Sequence, residues 1–324
     1  MILVVIGEIL LKPSYSNNYR IMNRIETGYQ MDRRGEFLHK MASNVSQKWK
    51  DRIKHFPFLV AFYNHVAKFD ILDYQRGLTQ MYGKAIDIQF KSPNFVMSLD
   101  LTELQDVLLF LEIVNRGYYE FSVSHYLINS LNNFDVFIDV GANSGYYSLM
   151  AASILGTDKS VISLEPNKKA FTRLARNVEL NSFENRIRAL NVGASDETKQ
   201  GTLYLSAEED GLSSLVKITP KTSKIDLIRL DSIFVDIPER FVCKIDVEGY
   251  ELNVLKGMTK LLKNGNVFNL IVEWNSNYAG DELWLELVKI GEIFRIEDRR
   301  GTYELVPVFN KHQLDNKYTN LLIA

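Results

Sequence analysis

From residue 135 onward, short apolar runs alternate with longer stretches of helical spacing, and this alternation is the strongest constraint on the fold. The runs are Val136 to Val140, Val161 to Leu164, Ile187 to Val192, Phe241 to Ile245 and Val267 to Val272. Such runs separated by helices are typical of β-α-β units, which build a mostly parallel sheet with helices on both faces. Near residues 292–308, two further runs around Arg299 to Gly301 predict an antiparallel hairpin. Ligands of open α/β sheets bind beyond the carboxyl ends of the strands.

The first 95 residues lack this alternation and contain no chemical motif. Between about residues 18 and 80, apolar, aromatic and basic residues recur at broadly helical spacing, as in Phe37, Met41, Val45 and Trp49. We therefore predict a mainly α-helical N-terminal region over residues 1–95 and an α/β domain over residues 96–324.

Shorter signals lie around the predicted boundary. Two alternating segments, Ala85 to Phe90 and Asn94 to Leu99, predict a hairpin. The segment from Thr102 to Gln105 has the spacing of a capping box, which predicts the start of a helix that ends before Gly117.

The composition excludes several classes of protein. Apolar residues form 46% of the chain and charged residues 24%, as in globular proteins, and the net charge of −2 argues against a basic nucleic-acid-binding protein. The apolar segment from Met1 to Leu11 contains Glu8 and is too short to span a bilayer, so we expect no transmembrane segment. We interpret it as a buried strand or docked segment, with a weak interfacial membrane anchor as the alternative. The single cysteine, Cys243, excludes an intrachain disulfide and favours a reducing compartment, by default the cytoplasm.

The strongest candidate site follows the first apolar run, where Asp139 precedes Gly141, Asn143 and Gly145. Glycines let the backbone approach a ligand closely, and the N-terminus of the next helix offers unpaired N–H groups. Asp139 would repel a phosphate but attract an ammonium group, so a ligand with an amino-acid moiety fits better than a dinucleotide. The segment also lacks the third glycine of the dinucleotide-binding fingerprint and the Lys-Ser/Thr pair of a P-loop. Taken alone, the pattern is equally compatible with a tight turn.

The second apolar run ends at Glu165, which is followed by Pro166 and Asn167. An acid at this place in a β-α-β unit can accept both hydroxyl hydrogens of a ribose. An acid near a helix N-terminus is also favourable without a ligand. Together with the glycine loop, the position of Glu165 favours ribose binding.

Three carboxylates, those of Asp246, Glu248 and Glu251, follow the fourth apolar run. Strand alternation would put Asp246 and Glu248 on the same side of the chain, at the rim where a substrate would lie. They could bind substrate or cofactor or abstract a proton, or they could be helix-start acids that offset the helix dipole, which would account fully for Glu251. A divalent cation on these oxygens would need a further ligand cluster that the sequence does not show, so we predict no metal. The fifth run closes with Glu273, another acid at the same edge.

Three segments together resemble the FkbM-type methyltransferases, a branch of the class I S-adenosylmethionine-dependent enzymes. They are residues 137–148, 164–167 and 244–251, and the resemblance extends over about residues 117–308. The Lys-Ile-Asp-Val-Glu-Gly element of the third segment is specific, whereas the glycine loop is shared with many methyltransferases.

The resemblance implies a Rossmann-like class I methyltransferase fold with a mostly parallel seven-stranded sheet and an antiparallel last strand. It implies that S-adenosylmethionine binds across the first two strand ends. Glu165 would hold the ribose, and adenine would lie against the loop that contains Asp196, which is the loosest part of the match. The residues around the methionine portion would be Asp139, Gly141, Asn143 and Gly145.

The resemblance also implies O-methylation, because FkbM-type enzymes are associated with small-molecule or sugar acceptors. We therefore expect a small-molecule or carbohydrate acceptor and no nucleic acid. A carboxylate near an acceptor hydroxyl would act as general base, with Asp246 as the first candidate and Glu248 as the second. Two other functions remain open: a nicotinamide-dependent oxidoreductase, against which the missing third glycine argues, and a non-catalytic nucleoside-binding scaffold.

Overall fold

A computed structural model describes residues 19–21, 75–80, 82–205, 215–216, 220–234, 236, 238–265, 267–299, 301–315 and 318–324. The chain divides into two units, one of residues 1–89 and 99–119 and the other of residues 90–98 and 120–324. Most of the N-terminal region, including the apolar segment from Met1 to Leu11, lies outside the described residues. The division near residue 95 therefore remains a prediction.

The N-terminal elements are short. Strand β1 (Tyr19–Ile21) stands where the spacing predicts a helix, and residues 75–80 are helical. The predicted hairpin segments form strands β2 (Ala85–Lys91) and β3 (Asn94–Asp100).

Helix α1 (Leu104–Arg116) begins differently from the prediction and ends as predicted. The capping box is wrong, because Glu103 is the N-cap and makes no capping hydrogen bond through its side chain. Thr102 instead donates its backbone N–H and its hydroxyl to Asp100 Oδ1, at 2.9 and 2.6 Å. The helix stops at Gly117, whose φ of 85° is readily adopted only by glycine.

In the second unit, every predicted apolar run forms a strand. Four further strands, at residues 193–194, 199–205, 221–228 and 318–323, lie outside those runs. The strands are β4 (Val136–Val140), β5 (Ser160–Leu164), β6 (Ile187–Leu190), β7 (Gly193–Ala194), β8 (Lys199–Leu205), β9 (Lys221–Ile228), β10 (Arg240–Ile245), β11 (Val267–Asn275), β12 (Ile293–Arg299), β13 (Thr302–Pro307) and β14 (Tyr318–Ile323).

The order of the strands creates a switch point next to β4. The main sheet has the order β13-β12-β14-β11-β10-β4-β5-β6, and strands β6, β5, β4, β10 and β11 are parallel. The chain therefore builds the sheet outward from β4 in one direction through β5 and in the other through β10. Crevices at such a point bind ligands in open α/β sheets. Strands β7, β9 and β8 form a small separate sheet.

The main sheet has eight strands where the resemblance implies seven. The additional strand is β13, the second half of the predicted C-terminal hairpin, which pairs with the edge of β12. The antiparallel last strand is confirmed, because β14 lies between β11 and β12 and is antiparallel to both. The mostly parallel class I architecture is thus present with one strand added at its edge.

Helices follow the strands and cover the sheet. They are α2 (Phe121–Ser130), α3 (Tyr146–Ile154), α4 (Lys168–Leu180), α5 (Glu251–Lys256), α6 (Thr259–Asn264) and α7 (Asp281–Ile290). Strand β4 is buried along its whole length, as expected for a strand with helices on both faces. Cys243 of β10 is fully buried in this core. Among the helices that the structure describes, none is long and apolar enough to cross a membrane.

Candidate active site

The glycine loop, residues 141–145, turns the chain from β4 into α3 at the switch point. Gly141 has a φ of 86°, and a Cβ added to it would lie 1.8 Å from the carbonyl oxygen of Asp246. Gly145 is the N-cap of α3 with a φ of 97°, and its Cβ would lie 2.5 Å from Leu174 Cδ1. Both positions therefore adopt a conformation that favours glycine, and at Gly141 the neighbouring backbone also leaves no space for a side chain. The loop is packed directly against the end of β10.

Glu165 ties the glycine loop to the end of β5. The Asn143 N–H donates to Glu165 Oε2 at 2.8 Å, and the Asn167 N–H donates to Oε1 at 2.7 Å. Burial raises the pKa of Glu165 to about 7, although these two hydrogen bonds oppose the rise. Each carboxylate oxygen still has an acceptor position left, so two further donors, such as a pair of vicinal hydroxyls, match its remaining capacity.

Asp139 lies beneath the loop, with 2% of its surface exposed. Ser148 donates to its Oδ2 at 2.6 Å, and the Ser148 hydroxyl also lies 2.7 Å from that of Ser163. Burial raises the pKa of Asp139 to about 6. Asp139 therefore lies near the end of β4, as predicted, and accepts a hydrogen bond from Ser148 of α3.

Asp196 lies in the turn that follows β7. Its Oδ1 accepts hydrogen bonds from the Ser195 hydroxyl at 2.8 Å and from Asn253 of α5 at 3.3 Å, and the Ser195 bond lowers the pKa of Asp196. A residue that the sequence did not single out, Asn191, lies closer to the ribose candidate, because its side-chain amide donates to the Glu165 carbonyl at 2.8 Å.

The acids after β10 are brought together by a turn. The strand ends at Ile245, so the strand alternation expected for Asp246 and Glu248 is wrong as a reason for their proximity. Instead, Glu248 has a φ of 52° and Gly249 one of 98°. Glu251 Oε1 accepts the Gly249 N–H at 3.0 Å and is buried at the start of α5, which confirms that its role is at the helix start.

Glu273 of β11 joins this group, which we call the rim acids: Asp246, Glu248 and Glu273. One carboxylate oxygen from each lies within 4.8 Å of the others. The parallel register pairs Ile245 with Val272, so the residues that follow, Asp246 and Glu273, are neighbours. Burial and the negative charge of Asp246 raise the pKa of Glu273 to about 9.

The buried Lys244 forms ion pairs with one of the rim acids, Asp246, and with Glu120. Lys244 is 2% exposed, and its Nζ lies 2.6 Å from Asp246 Oδ2, 3.6 Å from Glu120 Oε2 and 4.8 Å from the ring centre of Tyr147. Burial alone would lower the pKa of Lys244, but the two carboxylates raise it on balance. Lys244 therefore stays charged and fixes one oxygen of Asp246.

Glu120 completes this support. It precedes α2 with a φ of 39°, and its carboxylate accepts hydrogen bonds from Tyr147 OH at 2.6 Å and from Asn320 at 2.8 Å. Side chains from α3, β10 and β14 thus converge on one acid. The sequence shows no signal for this role, because the contacts join residues up to 200 positions apart.

Comparisons with known proteins identify the family of this chain. Residues 139–303 match the family model described as the methyltransferase FkbM domain. The hexuronic acid methyltransferase AglP of Haloferax volcanii is 31% identical over 150 residues, which are 45% of this chain. The alignment covers 59% of that relative, so the chain spans less than two thirds of its length.

Solved structures include similar chains. A methyltransferase FkbM from Methylobacillus flagellatus KT aligns with a TM-score of 0.42 and 19% identity, over 68% of this chain and 54% of that one. An S-adenosylmethionine-dependent O-methyltransferase from Thermotoga maritima aligns with a TM-score of 0.38 and 13% identity, over 74% of this chain and 92% of that one.

Proposed function

The chain belongs to the FkbM methyltransferase domain family, and from this premise we propose that it transfers the methyl group of S-adenosylmethionine to a hydroxyl of a small molecule or sugar. The family predicted from three sequence segments is thereby confirmed. One observation carries the proposal: the glycine loop contacts both candidate halves of the site, through the Asn143 N–H on Glu165 and through Gly141 against the Asp246 carbonyl.

The chemistry of the donor set fits the cofactor. Glu165 has one acceptor position left on each oxygen, which matches the two hydroxyls of a ribose. We assign the methionine portion to the loop of Gly141, Asn143 and Gly145 above Asp139. The adenine side runs past Asn191 toward Asp196. When bound, S-adenosylmethionine supplies a methyl group already activated by its sulfonium.

The chain's own task is then to position the acceptor and remove one proton. Asp246 would accept the proton of the acceptor hydroxyl. The hydroxyl oxygen would form its bond to the methyl carbon as the bond from that carbon to the sulfonium sulfur breaks, so that the electron pair stays on sulfur and a neutral thioether leaves. Lys244 holds Oδ2 of Asp246 at 2.6 Å, which leaves the other carboxylate oxygen for the acceptor. Glu248 is the second candidate for the base. Alignment of the reactants can lower the barrier by about 7 to 11 kcal/mol, and a general base contributes about 100- to 10,000-fold.

The sugar acceptor is supported by the Haloferax relative, whose name gives a hexuronic acid as its substrate. Because this chain spans 59% of that relative, the substrate class is part of the proposal.

The first experiment tests the cofactor. Calorimetric titration of the protein with S-adenosylmethionine should show saturable binding, and no detectable binding at millimolar ligand would contradict the proposal. NADH is added in a parallel titration, because an increase in its fluorescence would favour the oxidoreductase instead.

The second experiment tests catalysis. The protein is incubated with S-adenosylmethionine carrying a labelled methyl group and with cell extract or a sugar panel, and the products are analysed by mass spectrometry. Asp246→Asn should lower the turnover rate by about 100-fold or more while cofactor binding persists. Asp158→Asn, an exposed acid in the turn that leads into β5, is the matched control. Equal turnover of the two variants would remove Asp246 as the base, and cofactor binding without any methyl transfer would favour the scaffold.

A further inference from the structure

The rim acids have a geometry that a proton-transfer role does not explain. Asp246, Glu248 and Glu273 each direct one oxygen to a common point, with all three oxygens within 4.8 Å of one another. Three ionised carboxylates at this distance repel one another, and a cation between them would offset that repulsion. Lys244 lies against Asp246 on the side of Oδ2.

A separate observation concerns a single atom of Glu273. The side chain is 4% exposed, and its Oε1 accepts a hydrogen bond from Tyr318 OH. Its Oε2 is buried and has no hydrogen-bond partner among the described residues. A buried acceptor left without a partner is rare and costly, and a bound ion is one of its recognised explanations.

The backbone around the three acids is held in place. Asp246 donates its N–H to the Val140 carbonyl at 2.9 Å, and Glu273 lies within the paired part of β11. The turn that carries Glu248 is fastened by Glu251 through the Gly249 N–H. Ligands on such fixed elements are preorganised, which ion binding requires.

We propose that Asp246, Glu248 and Glu273 bind one hard divalent cation, magnesium or calcium, whose third ligand is the unpartnered Oε2 of Glu273. Carboxylate oxygens are the ligands these cations prefer. Opposite ligands lie about 5 Å apart around calcium and about 4 Å apart around magnesium, so three oxygens within 4.8 Å of one another match calcium, and magnesium would require them to move closer together.

The effect of this cation on catalysis rests on the proposed function. A cation at this point lies at the acceptor side of the site, where it would bind the acceptor oxygen and lower the pKa of its hydroxyl. The acceptor hydroxyl would then lose its proton more readily to a carboxylate of the rim acids. The earlier prediction of no metal assumed that a further ligand was lacking, and Glu273, which the sequence places 25 positions beyond Glu248, supplies it.

The test measures cation binding directly, without cofactor or acceptor. The full-length protein is titrated with Mn²⁺, and free Mn²⁺ is followed by electron paramagnetic resonance. We expect one Mn²⁺ per chain, displaced by Mg²⁺ or Ca²⁺. Glu273→Gln keeps a side-chain oxygen that can accept the Tyr318 hydrogen bond but removes the negative charge of the carboxylate. Glu248→Gln removes the negative charge at a partly exposed position. Each should weaken Mn²⁺ binding by at least about tenfold.

Glu239→Gln is the matched control, since this exposed acid precedes β10 at the opposite end of the strand. Absence of saturable Mn²⁺ binding, or equal binding by wild type, Glu248→Gln and Glu273→Gln, overturns the proposal. S-adenosylmethionine titrations on the same samples separate the two claims. Cofactor binding and methyl transfer without cation binding would overturn the cation site alone, and cation binding without cofactor binding would overturn the methyltransferase alone.

Discussion

The two halves of the site satisfy their acids in opposite ways. At the ends of β4 and β5, the oxygens of Glu165 and the Oδ2 of Asp139 accept hydrogen bonds from nearby backbone N–H groups and a serine hydroxyl. At the ends of β10 and β11, one lysine holds Asp246, and an oxygen of Glu273 is left without a partner among the described residues. The half that we propose for the cofactor, around Asp139 and Glu165, is held by hydrogen bonds, whereas the half that we propose for the acceptor, around Asp246 and Glu273, relies on charge. We call them the cofactor half and the acceptor half.

The two halves also differ in how far apart in sequence their contacting residues are. The hydrogen bonds of the cofactor half join residues no more than 22 positions apart, so this half depends on a short segment of the chain, residues 139–167. The acceptor half draws on Glu120, Tyr147, Lys244 and Asn320, which are far apart in sequence. We therefore expect substitutions in the acceptor half to affect the fold most, and those in the cofactor half to affect ligand binding most.

The largest effect is expected from Lys244→Met, which removes the charge under the acceptor half. Asp246 and Glu120 would be left without their cation, and breaking a buried pair costs about 3 kcal/mol of unfolding free energy. Urea unfolding measures the loss. Lys260→Met, at an exposed position of α6, should change stability by less than about 0.5 kcal/mol. If both variants are equally stable, the charge is not what holds this half together.

The second prediction concerns Gly141, which lies where the cofactor half contacts the acceptor half. In Gly141→Ala, the new Cβ would lie 1.8 Å from the Asp246 carbonyl and φ would remain unfavourable, so the loop must move. We expect a loss of about 2 kcal/mol in stability, from strain of this kind, together with weaker S-adenosylmethionine binding. Gly280→Ala adds its Cβ in open space and serves as the control for thermal melting and calorimetry. Unchanged cofactor affinity in Gly141→Ala would separate the loop from the cofactor.

The third prediction isolates the cofactor half. Glu165→Ala should weaken S-adenosylmethionine binding by about 1.5 to 3 kcal/mol, the range for hydrogen bonds to a charged group. Glu179→Ala, an exposed acid of α4, should leave the dissociation constant unchanged. A dissociation constant that Glu165→Ala does not alter would remove Glu165 from the site, and with it the assignment of this half to the cofactor.

The smallest effect is a pH dependence confined to the cofactor half. Because burial raises the pKa of Glu165 to about 7, the ionised acceptor of ribose hydroxyls becomes populated only near neutrality. Between about pH 6 and pH 8, affinity for S-adenosylmethionine should rise about tenfold. The stability of the free protein should change in the opposite sense. The folded state retains this proton to higher pH than the unfolded chain, so stability falls as pH rises from about 4.5 to 7.

Calorimetry at three pH values, with Glu165→Gln as the comparison, tests this prediction. The amide does not ionise, so the variant should show no change in affinity over the same pH range. A parallel rise in both proteins would assign the titration to another group.

The sequence predicted the parts of the molecule that follow from local pattern. Buried strands such as β4 and β10 appear as apolar runs, and the glycine loop is visible because Gly141 and Gly145 both have a positive φ, which favours glycine. The capping box failed because Asp100, just before it, competes for the Thr102 N–H. Strand alternation failed for Glu248 because β10 stops at Ile245.

The support beneath the acceptor half could not be predicted, since it arises from tertiary contacts. A lysine within an apolar run gives no sign that its Nζ will lie between Asp246 and Glu120. Likewise, Glu273 and Tyr318 meet only because β14 enters the sheet beside β11. The roles of Asp139, Glu165 and Asp246 in binding and catalysis stay predictions for the experiments above.

The position of β14 has a consequence for synthesis on the ribosome. This strand fills a gap between β11 and β12, both of which emerge earlier. Until residues 318–323 leave the exit tunnel, β11 has an apolar margin with unpaired peptide groups, open to pairing with a neighbouring nascent chain. Slow elongation over this stretch would lengthen that exposure, so chaperone demand should peak just before the strand appears.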